Sequence, residues 1–224
     1  PYFYNKFLTL NQFCDIIIIE LKKGKIIMIK QKRLSNLMLL ANFISGLFYA
    51  TSYPYIYAET VQVIPRQFLA LEQILCCIST IIFCKLWNKY SDRFFNHYRL
   101  ILWAEIVADA ILFSDVMIRG DLSFYFLLNI IIYSLITRNL ACGSTKMRAK
   151  VNPTEKLREH YDNNNQIVSA TSTLLGAGFA IICPLDLQTL FIFALIGNIV
   201  DNFFYLYIYN QIKKEGKNEN TNCN

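Results

Sequence analysis

The chain has 224 residues, of which 54% are hydrophobic, 15% aromatic and only 17% charged. An average soluble domain is about 25% charged, so an ordinary soluble globular fold is excluded. The net charge of +6 invites a nucleic-acid partner, but the bases sit in alternate gaps between apolar runs, which excludes that partner and points to a lipid bilayer.

The chain opens on Pro1, and Pro1–Ile27 alternates short apolar runs such as Ile16–Ile19 with polar residues. It is too short to span a membrane and lacks the order of a signal peptide. Translation is expected to begin at Met28, with Lys22-Lys23-Gly24-Lys25 encoded by an A-rich, ribosome-binding stretch. The competing expectation is a peptide lying on the membrane surface. Residues 1–33 are thus read as an N-terminal cytoplasmic segment (1–27 in doubt as translated sequence), 34–210 as a membrane domain and 211–224 as a disordered polar tail.

Six apolar runs follow: Leu34–Tyr57, Phe68–Trp87, Leu100–Ile118, Leu122–Cys142, Ile167–Cys183 and Leu187–Tyr209. Each approaches the roughly 20 residues that cross a bilayer, and several have no continuous polar stripe. The expected fold is therefore all-α, an integral membrane protein of six transmembrane helices. Lys30, Lys32 and Arg33 precede the first run. Lys85, Lys89, Arg93 and Arg99 follow the second, and Lys146, Arg148, Lys150, Lys156 and Arg158 the fourth. Lys213, Lys214 and Lys217 follow the sixth, and the alternate gaps hold only Arg66 and Arg119. This asymmetry predicts that both termini are cytoplasmic. The plasma membrane of a low-GC bacterium is the expected location, since Ile, Lys, Asn, Tyr and Phe abound.

In the first run, Pro54 is expected to bend or end the helix and Gly46 to serve packing. Tyr53, Tyr55 and Tyr57 suit an aromatic belt better than a binding site. Glu72 in the second run and Asp115 in the third fall near the outer boundary and are not read as ligands.

Charges deeper in the runs are functional suspects, because each costs a few kcal/mol in lipid. Glu105 and Asp109 are four residues apart, hence on one helical face. Their mutual repulsion suggests that one carries a proton. Glu105 lies about 7–8 Å from the inner boundary, and Arg138 in the fourth run about 6 Å from it. A Glu105–Arg138 pair is expected, either knitting two helices or taking part in function. Asp109, deeper, then becomes the proton carrier. Asp201 in the sixth run has Asn198 and Asn202 for neighbours, and Asn129 lies in the fourth. These amides either line a polar cavity or hydrogen-bond between helices.

Of seven cysteines, Cys76, Cys77, Cys84, Cys142 and Cys183 fall in or beside the runs, without a CxxC spacing or a nearby His. They are read as packing residues, and neither a metal nor a cofactor is expected. No phosphate-binding glycine loop, Gly-x-Ser-x-Gly elbow or His-Glu-x-x-His pair occurs, so an enzyme is not expected. His97 and His160 fall in the cytoplasmic gaps.

The gap Asn88-Lys89-Tyr90-Ser91-Asp92-Arg93-Phe94-Phe95-Asn96-His97-Tyr98-Arg99 resembles the signature loop of the major facilitator superfamily. Asp92 and Arg93 match, while Asn88, Phe95 and Asn96 replace the usual two glycines and first base. Arg99 supplies a later base. The stretch Arg148–Arg158, with Pro153 placed to begin a helix and Glu155 in its first turn, is similar to the family's connection between fourth and fifth spans. It leads into Ser169–Gly178, where Ser169, Ser172 or Thr173, Gly176 and Ala180 form a smooth ridge; Gly178 is also assigned to helix packing. Pro184 comes later than the family's Pro.

The resemblance covers Leu34–Tyr209 and implies an N-terminal-type six-helix half of that fold. It further implies alternating-access transport of a small-molecule substrate, often proton-coupled, at a site facing the first and fourth spans. Asp92 and Arg93 would hold or release the inward gate. The family has two such halves, so the chain is expected to pair with a second copy as a homodimer or with a missing second half. The alternative is a truncated or repurposed membrane module, an accessory or immunity protein without transport.

Overall fold

The structure, a computed structural model, describes the backbone of residues 2–119, 122–183 and 185–221. Side chains are described for residues 31–214, apart from 113, 115, 117–121, 123, 124, 133 and 184. The sequence readings on Asp115, Arg119, Pro184 and most of the two terminal segments lie outside the described side chains.

The chain is all helix in its described residues: α1 (Tyr2–Val63), α2 (Arg66–Asn96), α3 (Tyr98–Arg119), α4 (Leu122–Ile132), a π-helical turn (Tyr133–Thr137), α5 (Arg138–Val151), α6 (Glu155–Ile182) and α7 (Leu187–Thr221). Five segments are long and apolar enough to cross a membrane: Gln31–Val63, Arg66–Asn96, Tyr125–Val151, Glu155–Ile182 and Leu187–Lys214. The third predicted span, α3, falls outside this group because Glu105, Asp109 and Asp115 share one span-length.

Several connections read as loops are helical. α1 runs through Pro54 to Val63 without ending; proline is tolerated inside spans because neighbouring groups satisfy the freed carbonyl. The Asn88–Arg99 stretch is the end of α2, kinked at Tyr90, where φ is −127° and ψ 30°. A single residue, His97, then separates it from α3. α6 begins at Glu155 rather than at Pro153, with Thr154 Oγ1 accepting the Leu157 amide at 3.4 Å as its N-cap. It passes through Asn163–Asn165 unbroken into the apolar run.

α1 packs lengthwise against α6 and α7, α3 against α7 and α4, and α2 against α5. Small residues set these approaches. A Cβ at Gly176 would lie 2.5 Å from the Leu47 carbonyl oxygen and 2.9 Å from Ala50 Cβ, while Gly46 meets Ser172. Thr51 Oγ1 donates to the Gly176 carbonyl at 3.2 Å, a direct α1–α6 bond. Gly178 differs from expectation: the space beside it is open, so it takes no part in this contact. Lipid is as apolar as leucine, so such close approach and interhelical hydrogen bonds hold the bundle rather than apolar burial alone.

Polarity runs opposite to that of a water-soluble bundle. Leu100, Trp103, Val107 and Ile111 form an exposed apolar stripe on α3, as do Ile74, Ile78 and Ile81 on α2. Ser52, Ser134, Ser172 and Asn202 are buried. The largest buried cluster gathers at the end bearing the α2–α3 and α5–α6 connections, where Trp87, Phe95, Tyr98, Met147, Tyr161 and Tyr209 pack together. The opposite half holds smaller clusters and a cavity.

Candidate solute cavity and its acidic lining

The cavity has a volume of about 380 Å³ and is walled by α1, α2, α3, α4 and α7. Serines and tyrosines one helical turn apart (Ser45, Tyr49, Ser52, Tyr53) bring polar groups inward from α1, and Glu105 and Asp109 do so from α3. Glu72, Asn129, Thr137 and Asn198 complete the polar lining. Tyr125 and Phe191, edge to face at 4.8 Å and 83°, form an apolar wall.

A second cavity of about 240 Å³ lies toward the other end of α3, α5 and α7, lined by Tyr98, Ser144, Asp201, Asn202 and Tyr205 among others. Glu105, Thr137 and Asn198 line both cavities. They form the layer between the two chambers. Thr137 Oγ1 donates to Glu105 Oε1 at 3.1 Å across this layer. Thr137 closes the π turn, a rare element that recurs at functional sites and loosens the helical ladder locally.

Two matched pairs join α3 to α7. Asn202 reaches Glu105 and Asn198 reaches Asp109, so carboxyls one turn apart on one helix meet amides one turn apart on its antiparallel neighbour. Asp109 Oδ2 and Asp201 Oδ1 are nonetheless buried without a hydrogen-bond partner. Ser45 approaches Asp201 from α1. Arg138 follows Thr137 directly and is half-buried at the start of α5. Below the layer, Asn42 ties three helices together. Its amide donates to Tyr161 Oη at 3.2 Å and Asn165 Oδ1 at 2.6 Å, and it accepts from Tyr205 Oη at 3.2 Å.

Near the C-terminal end of α2, Asp92 is exposed and pairs with Lys146 of α5 at 3.5 Å, and Lys146 also donates to Ser91 at 3.1 Å. Arg93 is exposed on the last turn of α2. Outside the helical spans, the Thr189 hydroxyl, and then the Thr189 amide donating at 3.2 Å, hold the Asp186 carboxyl below the ordinary range at the head of α7.

The structure therefore brings Glu105, Asp109, Asn129 and Asn198 to one cavity and Asp201 and Asn202 to the other. Glu72 and Tyr53, which the sequence did not single out as site residues, also line the first cavity. Thr137, Tyr125 and Asn42 went unread. Glu72 carried the same signal as Glu105, an acid in an apolar helix; a threonine or tyrosine in a span carries none. Among the described residues no group of three or more acids, cysteines or histidines converges to hold a metal ion. No protein-family model, curated protein or solved structure matches this chain.

Proposed function

We propose that the chain is a six-span secondary carrier unit of major-facilitator type, moving a small solute by alternating access coupled to protons. One observation carries this: two chambers stacked along the bundle share a layer one residue deep, Glu105, Thr137 and Asn198. A carrier needs a site reachable from either face in turn, with discontinuous helices beside it near the middle of the bilayer. The π turn interrupts the Tyr125–Val151 segment at its middle. α3 is counted as the sixth span. Its 22 residues reach about 33 Å, its outer stripe is apolar, and Glu105 and Asp109 point inward.

With lysine and arginine on the cytoplasmic side, the larger cavity faces outward in a plasma membrane and both termini face inward. The aromatic cluster at the basic end is then the closed inner gate. Asp92 and Lys146 latch α2 to α5 there, an exposed pair worth at most about 1 kcal/mol, weak enough to open in each cycle. Asp109 carries the proton, and Glu105 links it to Asp201. A second copy, or a second six-helix half, supplies the other side of the carrier.

The test is proton movement in vesicles reconstituted with the purified protein and loaded with a pH-sensitive dye. A solute gradient drives acidification with the unaltered chain and none with Asp109→Asn. Undiminished flux in Asp109→Asn ends the proton-carrier assignment. Absence of flux under every gradient leaves the non-transporting accessory module as the better account.

A further inference from the structure

The geometry points to an organic cation, an amine or quaternary ammonium with an apolar body, as the occupant of the larger cavity. This rests on the cavity being the solute chamber of the carrier. Three carboxyl side chains line it from different walls, Glu72 on α2 and Glu105 and Asp109 on α3, and no described lining residue is Lys, Arg or His. Buried acids are ordinarily paired or hydrogen-bonded, because an unpaired charge in an apolar surround is costly. Glu105 meets this condition through Thr137. Glu72 does not. Its side chain is 8% exposed, faces the cavity, and makes no hydrogen bond or ion pair among the described residues. Asp109 Oδ2 is likewise buried without a partner. Among the described residues Glu72 thus meets no partner in this space, and Asp109, held by Asn198 through its other oxygen only, stands on the facing wall.

The shape of the space selects the kind of cation. The acids do not converge on a metal-sized point, so a bare ion cannot be held by all of them at once. A volume of about 380 Å³ is at the lower end of the roughly 300–1,000 Å³ typical of small-molecule sites. Tyr53, Tyr125 and Phe191 present aromatic surface to the same space, and aromatic faces attract quaternary and alkylammonium groups. A cation between Glu72 and Asp109 thus has its apolar body against rings rather than in water.

Binding by the purified full chain in lipid nanodiscs tests this directly, by calorimetry with benzyltrimethylammonium, benzyl alcohol and benzenesulfonate. Saturable binding of the cation, at least tenfold tighter than either comparison compound, is expected. Glu72→Gln should weaken it about tenfold, while Glu72→Asp, which keeps the charge, should hold it within about threefold. Glu72→Asp also covers the case in which Glu72→Gln fails to fold. Equal binding of all three compounds, no saturable binding of the cation, or full affinity in a well-folded Glu72→Gln overturns the assignment. Sodium chloride that competes mole for mole with the cation also overturns it, in favour of an inorganic ion. Because the measurement is made without a gradient, it separates two failures. A cation that binds but is never moved leaves this site standing and removes the carrier. Proton-linked flux without cation binding does the reverse.

Discussion

Glu105 belongs to both chambers, and Thr137 is the residue that meets it. Replacing Thr137 with valine keeps the volume and removes the donated hydrogen bond of 3.1 Å. In the reconstituted assay Thr137→Val is expected to keep solute binding and lower coupled flux at least tenfold; unchanged flux removes Thr137 from the mechanism. Two glycines two residues apart, on opposite faces of α6, offer a stability test with opposite signs. Gly176→Ala drives a Cβ against the Leu47 carbonyl, which cannot retreat, and should cost about 1–3 kcal/mol. Gly178→Ala meets open space and should be neutral or stabilising by up to about 1 kcal/mol through helix propensity. Thermal unfolding in detergent reads both. At this scale most acids and amides were legible, since each is expensive in an apolar run, but Asn42 was passed over. Glu72 was discounted on depth alone, although α2 starts at Arg66 and places it about 9 Å along the helix. Thr137 and Tyr53 gave no signal because hydroxyls and rings are ordinary in spans.

Between helices, the decisive contacts are few and specific. Asn42 makes three side-chain hydrogen bonds to α6 and α7. Asn42→Ala leaves these partners unsatisfied and should lower stability by about 1–3 kcal/mol, again by thermal unfolding; unchanged stability would contradict the bridging role. Cys84 Sγ and Cys142 Sγ lie 3.9 Å apart across α2 and α5. Mild oxidation should join them, visible as a linked peptide by mass spectrometry and abolished in Cys84→Ser. Failure to link them would show that α2 and α5 do not pack in this register. Five of the six apolar runs coincide with segments long and apolar enough to cross a membrane. The helices continue past the runs, because polar residues such as Asn88, Asn163 and Asn164 extend a helix beyond the apolar core as readily as they form a loop. The π turn had no sequence signature, since Tyr133–Thr137 holds no proline, glycine or charge to mark a break.

For the whole molecule, the inverted polarity and the paired chambers belong together. The exposed surface is rich in isoleucine and leucine while acids, amides and hydroxyls turn inward, the arrangement that suits lipid outside and a polar path within. Composition made the membrane legible at once. The layered cavity was not, because it arises from side chains on five helices that no local spacing connects. The Asp92–Arg93 resemblance pointed to the α2–α3 connection, where Asp92 meets Lys146 of α5, but it said nothing of Lys146, Glu72 or Thr137. The most direct test of the whole account is cysteine accessibility in a cysteine-free background, with Asn129→Cys reporting the larger cavity and Ser144→Cys the smaller. A membrane-impermeant maleimide should label Asn129→Cys only from outside and Ser144→Cys only from the cytoplasmic side, with labelling of the two shifting in opposite directions when solute is added. Labelling of both from the same face, or of neither from any face, would contradict two chambers divided by the Glu105 layer.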